Sequence, residues 1–415
     1  MTEEVHSETR MPEEMEGAIP MDEEDVVLDE QNCEVIELNE GDGVNDHDDM
    51  DEDDGEDGEG SLDEQIDDDV EPEADDTMID LEGHTESVFC VVSSPSDNNV
   101  VASGGGDDRA IIHNLRNNEV QAQIQDFGDS VSAIAFNQDG KLVAFGGMNG
   151  RIVVVDVATG KPVYEPEGPA ASVEWLDFHS RGNWLIGGSA DAFVYMWNEK
   201  GENAMIYSGH ATIVSCGGFS PDGRSIVTGS EDGTVRIWNP KTGECVATSA
   251  PANSEKPGVL CMDMMDNIAI VGYEDGSVRL VNLSDAAFIA SLPSHAGSVE
   301  CVKFGAPGLV PKICASTGMD GVLRIWDMDL SRERTSLVHG AGVVACSWHQ
   351  QKPELIITAS VDRKVHVWDA RKGEHVAVFM GNRNTILSMD IGLTGEYVVT
   401  GSDDHHVRVF NLYQA

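Results

Sequence analysis

Thr228-Gly-Ser-Glu-Asp-Gly-Thr-Val-Arg-Ile-Trp-Asn239 decides the fold, because the chain writes it again twice. The second copy is Ser316-Thr-Gly-Met-Asp-Gly-Val-Leu-Arg-Ile-Trp-Asp327, and the third is Thr358-Ala-Ser-Val-Asp-Arg-Lys-Val-His-Val-Trp-Asp369. Each is a small-residue strand end, an acidic tight turn and a β-branched strand closing on Trp-Asp or Trp-Asn. Aligning on the turn residue extends the series to Asp107, Asn149, Asp191, Asp232, Asp275, Asp320, Asp362 and Asp404, at spacings of 42, 42, 41, 43, 45, 42 and 42 residues. Eight units at about 40–45 residues mark an array of four-stranded blades. No helical period competes with them.

The fold class expected is therefore all-β, an eight-bladed β-propeller of four antiparallel strands per blade. Seven blades, with a degenerate unit left out, is the alternative. The units span about 82–114, 125–156, 168–198, 208–239, 255–282, 293–327, 338–369 and 380–411. The last unit stops at Phe410-Asn411, after three strands. Thr77-Met-Ile-Asp-Leu81 has strand character and no partner of its own, so it is expected to close the last blade. Closure by both termini removes a long unpaired edge.

These units resemble the WD-repeat family, whose repeats carry Gly-His near the start and Trp-Asp at the end. The fourth unit matches most fully, through Gly209-His210, Ser220-Pro221-Asp222-Gly223, Thr228, Asp232 and Trp238. The resemblance implies a buried relay joining His210, Asp232, Thr228 and Trp238. Such a relay satisfies polar groups that would otherwise cost about 1–3 kcal/mol each. It extends to His295, Ser316, Asp320 and Trp326, to His339, Thr358, Asp362 and Trp368, and to His84, Ser103 and Asp107, where His113 replaces the Trp. Units two and five carry Val155 and Val281 at the Trp position, and units three and eight lack the His. Those four are expected to be held mainly by packing.

Charge is the second signal. The chain carries a formal net charge of −51. Residues 1–76 hold 35 Asp or Glu against one base, Arg10, which reads as a disordered acidic tail. Within it Glu34-Val35-Ile36-Glu37-Leu38 is an apolar island, read as a chance cluster or a short anchor. The remaining 339 residues, 77–415, carry 41 acids and 24 bases. Such a surface repels phosphate backbones and anionic membranes and attracts basic proteins. No secretory leader and no apolar run of membrane-spanning length is present. The eight cysteines show no CxxC pair, which fits a reducing cytoplasm, with the nucleus as an alternative, better than a disulfide framework.

Catalytic constellations are not found. Gly104-Gly105-Gly106 lacks the Lys-Ser/Thr ending of a phosphate loop, and the histidines show no HExxH or HxH spacing. No enzyme activity, cofactor or metal is expected. The resemblance to the WD-repeat family implies partner contacts on the loops of the narrow top face, which carries the turn residues. Positions just before each turn residue are Gly106, Met148, Ala190, Glu231, Glu274, Met319, Val361 and Asp403. Positions five after the His are Phe89, Ser132, Glu174, Ser215, Leu260, Glu300, Val344 and Leu387. Neither set contains Lys or Arg. With Glu86 and Asp129 from a third set, and Trp175, the partner site is read as Glu86, Phe89, Asp129, Glu174, Trp175, Glu231, Leu260, Glu274, Glu300 and Asp403. Acids interleaved with apolar groups suit a Lys/Arg-rich segment with apolar anchors.

The tail with its island, the first strand Ser87-Val-Phe-Cys90 and the phrase Val271-Gly-Tyr-Glu-Asp-Gly-Ser-Val-Arg279 together resemble the family of the angio-associated migratory cell protein and its fungal relatives. Those relatives are acidic propellers that chaperone a basic large-subunit ribosomal protein. The resemblance implies a monomeric, non-catalytic chaperone for such a protein. Two alternatives stand beside it. One is a scaffold or adaptor in signalling or cell migration. The other is a ubiquitin-ligase substrate receptor, on the strength of Trp368-Asp369-Ala370-Arg371.

Overall fold

The computed structural model describes residues 70–249, 256–293, 295–306 and 312–414. They form eight four-stranded antiparallel sheets, the blades of a β-propeller. In blade one the strands run Val88–Ser93, Val100–Gly105, Ala110–Asn114 and Glu119–Ile124, each beside its neighbour in sequence. The inner strands of the other blades are Val131–Phe136, Val173–Phe178, Cys216–Phe219, Val259–Met265, Val299–Phe304, Val343–Trp348 and Ile386–Ile391. The predicted units cover three strands of each blade. The outer strands, such as Glu119–Ile124, lie in the intervals between units, where no motif marks them.

Blade eight takes its outer strand from the start of the propeller. Thr77–Leu81 pairs antiparallel with Val407–Asn411, Leu81 opposite Val407 and Thr77 opposite Phe410. The expected acidic tail, residues 1–76, falls outside the described residues as far as residue 69. Its last seven residues bond to blade eight. The Val70 N–H donates to the Arg383 carbonyl at 3.0 Å, and the Asp76 N–H donates to that of Met380 at 2.7 Å. The Asp76 carboxylate accepts the Met380 N–H in return at 3.0 Å.

Small residues set how closely blades approach. A glycine stands three positions before the turn residue in six blades. A Cβ on Gly104, Gly146, Gly229, Gly272 or Gly401 would lie 2.5–2.8 Å from a methyl of Val131, Val173, Val259, Val299 or Val88, the leading valine of the next inner strand. The small-residue strand end of the motif is thus an interface requirement. Polar links add to it. Asp177, Asp263 and Asp390, on inner strands, each accept a backbone N–H from the next blade, from Phe219, Phe304 and Ser93 at 2.7–2.8 Å. Burial pushes Asp177 up to about 6 against the stabilising bonds it accepts.

Candidate functional site: the acidic face and its relays

Relay geometry sets which atoms hold protons. In blade four the Trp238 indole N–H, which can only donate, lies 2.8 Å from Thr228 Oγ1. The same hydroxyl lies 2.8 Å from His210 Nε2. His210 Nδ1 faces the Asp232 carboxylate, which can only accept, at 3.1 Å, so Nδ1 carries the imidazole proton and Nε2 accepts from the Thr228 hydroxyl. The Asp232 carboxylate also accepts the Ala211 N–H at 3.0 Å and the Thr234 hydroxyl at 2.6 Å. Burial would raise its pKa, but the bonds from His210, Thr234 and Ala211 outweigh burial and hold it well below the usual carboxylate range.

Blade six repeats the chain through Trp326, Ser316, His295 and Asp320 at 2.8, 2.7 and 3.0 Å. In blade one Ser103 lies 2.8 Å from both His84 and His113, and His84 lies 2.9 Å from Asp107. His113 thus does the indole's work with its Nε2–H. Burial pushes its pKa down to about 3, which keeps it neutral.

Two expectations need correction. In blade seven, His339 bonds Thr358 at 2.8 Å, and Trp368 bonds Thr358 at 3.1 Å. Asp362, however, bonds His366 at 3.1 Å, and His339 Nδ1 has no partner among the described residues. His366 stands four residues after Asp362 and reaches its carboxylate directly, with its ring beside Trp368 at 5.8 Å between centroids. Nor is blade eight held by packing alone. Its His position is Asn382, which accepts the Thr400 hydroxyl at 3.2 Å. Arg408 donates to the fully buried Asp404 carboxylate at 2.6 Å. The Arg alone carries no signal of this, since Arg236, Arg279 and Arg324 also stand four residues after their turn Asp; what differs is Asn382 in place of His and Phe410 in place of Trp. Blades two and five do rely on apolar groups there, with Phe127 at the His position of blade two, and Val155 and Val281 fully buried.

One backbone bond recurs in all eight blades and defines the face. The residue before each turn residue donates its N–H to the carbonyl three residues after the His position. The donors are Gly106, Met148, Ala190, Glu231, Glu274, Met319, Val361 and Asp403, and the acceptors are Ser87, Ser130, Ser172, Ile213, Gly258, Ser298, Gly342 and Thr385, at 2.8–3.0 Å. The turns and the incoming loops are therefore stitched together at one end of the propeller.

Glu86, Asp129, Glu231 and Glu274 are exposed there, while Glu174, Glu300 and Asp403 are half-buried. Gly106 brings Glu86 and Phe89 together, since a Cβ on it would lie 3.1 and 3.4 Å from their side chains. Gly258 does the same for Glu231 and Glu274, at 3.5 and 3.4 Å. Asp403 accepts the Ser87 hydroxyl, and Glu300 that of Ser298. Leu260 is half-buried beside them. Trp175 offers less open surface than its type suggests. Its indole donates to the Val214 carbonyl at 2.9 Å, and its ring packs on Gly188 and Gly217 between blades three and four. Met148 and Met319 are the apolar groups sequence reasoning passed over, 41% and 48% exposed. Of the bases near this end, Arg109 lies 3.7 Å from Asp107, and Arg383 lies 3.5 Å from Glu71.

The other end differs. A cavity of about 460 Å³ lined by His179, Trp184, Met196, Met205, Phe219 and Lys241 lies there and contains none of these acids. Arg371 of Trp368-Asp369-Ala370-Arg371 is exposed in a turn at that end. Among the described residues no group of three or more His, Cys, Asp or Glu has metal-holding geometry.

A family model described as the IFT122 first β-propeller matches residues 130–411, and the WD domain, G-beta repeat model matches residues 76–114. The angio-associated migratory cell protein of Canis lupus familiaris is 30% identical over 353 residues, 81% of this chain and 80% of that protein. An uncharacterized WD repeat-containing protein of Schizosaccharomyces pombe is 32% identical over 366 residues, 83% of this chain and 91% of that one. Among solved structures, the Chaetomium thermophilum Sqt1 bound to the N-terminus of the ribosomal protein L10 superposes with a TM-score of 0.74 at 23% identity, covering 81% of this chain and 100% of that one.

Proposed function

Since the chain belongs to the WD-repeat β-propeller family, a fold of protein–protein interaction, we propose that it is a non-catalytic chaperone whose acidic turn face captures the Lys/Arg-rich segment of a basic ribosomal protein during large-subunit assembly. The observation that carries this reading is the charge pattern on the stitched face. Sixteen structurally repeated positions include Glu174, Glu231, Glu274, Glu300 and Asp403, and none is Lys or Arg. Glu86 and Asp129 extend the acidic rim. Phe89, Leu260, Met148 and Met319 lie among these acids as seats for apolar anchors. Complementary charge speeds encounter, and apolar anchors slow release. The fold shared with an Sqt1 that is bound to the N-terminus of ribosomal protein L10 supports a ribosomal client. The protein acts in the cytoplasm as a monomer in this reading.

The test is the double variant Glu231→Lys, Glu274→Lys, titrated with a peptide of the L10 N-terminus at low and moderate salt. A charge contact at about 4 Å is worth about 1 kcal/mol in water, and reversal doubles the change, so affinity at low salt should fall roughly tenfold or more. The salt dependence should flatten with it. Unchanged affinity refutes capture by this face. Recovery of neutral or acidic folded proteins that resist moderate salt, in place of a basic ribosomal protein, favours the adaptor reading.

A further inference from the structure

Five of the seven described cysteines, Cys90, Cys216, Cys261, Cys301 and Cys346, stand on inner strands. The third residue of such a strand points at the next blade. Cys90 there approaches the Val131 carbonyl, and Cys261 the Val299 carbonyl, both at 3.4 Å. Cys301 holds the same place in blade six but meets a second sulfur. Cys346, the fourth residue of its own inner strand, lies in blade seven with its Sγ 3.7 Å from that of Cys301. Cys346 is buried, whereas Cys301 keeps partial exposure on the inner strand. Lys303 stands two residues beyond Cys301, on the same strand face, with its ammonium 4.0 Å from Asp263.

We propose that Cys301 and Cys346 form a dithiol that peroxide oxidises to a disulfide joining blades six and seven. The Cys301 thiolate attacks one oxygen of hydrogen peroxide and the O–O bond breaks. The departing hydroxide takes a proton and leaves as water, and Cys301 becomes a sulfenic acid, oxidised by two electrons. Cys346 then attacks that sulfur as its own proton leaves. The S–O bond breaks, a second water departs, and the S–S bond forms. Two thiols and one peroxide yield one disulfide and two waters.

The geometry gives each thiol its role. The Cys346 S–H donates to Cys301, and with Lys303 alongside this lowers the Cys301 pKa below the ordinary thiol value despite burial. The same hydrogen bond, with burial, raises that of Cys346. Cys301 is thus the attacking thiol and Cys346 the resolving one. A disulfide places its sulfurs about 2.05 Å apart, so from 3.7 Å the pair must close by about 1.7 Å. Burial pushes Cys261 well up, which leaves that thiol protonated.

The test uses the full chain, purified reduced and titrated with hydrogen peroxide. Trypsin cuts between the two cysteines at Lys303, Lys312, Arg324, Arg332 and Arg334, so a linkage joins two separable peptides. The expected result is that linked pair, a free-thiol count lower by two, and reversal by dithiothreitol. In Cys346→Ala, Cys301 should be trapped as a dimedone-reactive sulfenic acid, while in Cys301→Ala, Cys346 should stay unmodified. The proposal is overturned if thiol loss falls on the exposed Cys245 with Cys301 and Cys346 intact, or if Cys346 reacts in the absence of Cys301.

Discussion

Replacing Thr228 by valine keeps the volume of a fully buried side chain and removes one hydroxyl. That hydroxyl accepts from Trp238 and donates to His210, each at 2.8 Å. Valine leaves two buried polar atoms, the indole N–H and imidazole Nε2, without partners. Each orphan costs about 1–3 kcal/mol, so the total is about 2–6 kcal/mol. A propeller of roughly 340 residues unfolds with an entropy near 0.7 kcal/mol per kelvin, which converts the loss to about 3–9 °C in Tm. Thr228→Ser is the control. It keeps both bonds and loses one methyl, at about 1 kcal/mol. Serine already does this work in blades one and six, at Ser103 and Ser316. Thermal melts of the three proteins at neutral pH, followed by circular dichroism, give the comparison. A valine variant as stable as the serine variant would refute the relay as a source of stability.

Acid should unfold the propeller in two stages. Burial holds His295 below its ordinary pKa, His339 down at about 4 and His113 at about 3, so these rings stay neutral in the fold while the unfolded chain binds protons near pH 6.5. Stability from them is present above about pH 6.5 and declines as pH falls toward 4 and 3. Asp107, Asp232 and Asp320 are depressed in the fold against the opposing effect of burial, so their contribution is whole above about pH 4 and lost below it. Tm measured against pH should show both declines, and His339→Asn should shrink the first. Gly229→Ala should destabilise by about 1–3 kcal/mol, because its Cβ would fall 2.5 Å from Val259 Cγ1 and 2.8 Å from Cys216 Sγ. Arg408→Leu should cost about 3–5 kcal/mol by leaving the Asp404 carboxylate buried without its counterion, and adding Asp404→Asn should recover part of it. Denaturant midpoints test both.

The period of the turn residue made the fold legible, down to the strand donated by Thr77–Leu81. Relay blades were legible because their residue types are restricted by what each must donate or accept. What stayed hidden has one physical form. A polar network can be satisfied by chemically different sets that share no motif. Blade eight replaces His and Trp by Asn382, Arg408 and Phe410, and blade one replaces an indole by His113. Blade seven carries all four relay types and still breaks the chain, because His366 competes for Asp362. Contacts between blades were hidden for another reason. Asp177, Asp263 and Asp390 look like scattered acids along the chain, and only the closed ring brings each against its neighbour's backbone.

The acidic face is positioned by atoms other than its own carboxylates. The turn carboxylate clamps the incoming loop in four blades, at Thr85, Ala211, Ala296 and Arg383, through backbone N–H groups 2.6–3.0 Å away. The bond before the turn, present in all eight blades, uses only backbone. That bond asks nothing of the pre-turn side chain, and the blades fill the position with Gly, Ala, Val, Met, Glu or Asp. Glu86, Glu174, Glu231 and Glu274 make no side-chain hydrogen bond or ion pair among the described residues, unlike Asp107, Asp232 and Asp320 beneath them. A carboxylate that the fold does not use, held at a fixed place beside others, raises the energy of the isolated protein through mutual repulsion. A cationic segment on this face would relieve that repulsion, which makes these glutamates, more than the total charge, the part of the sequence on which the proposed basic partner rests.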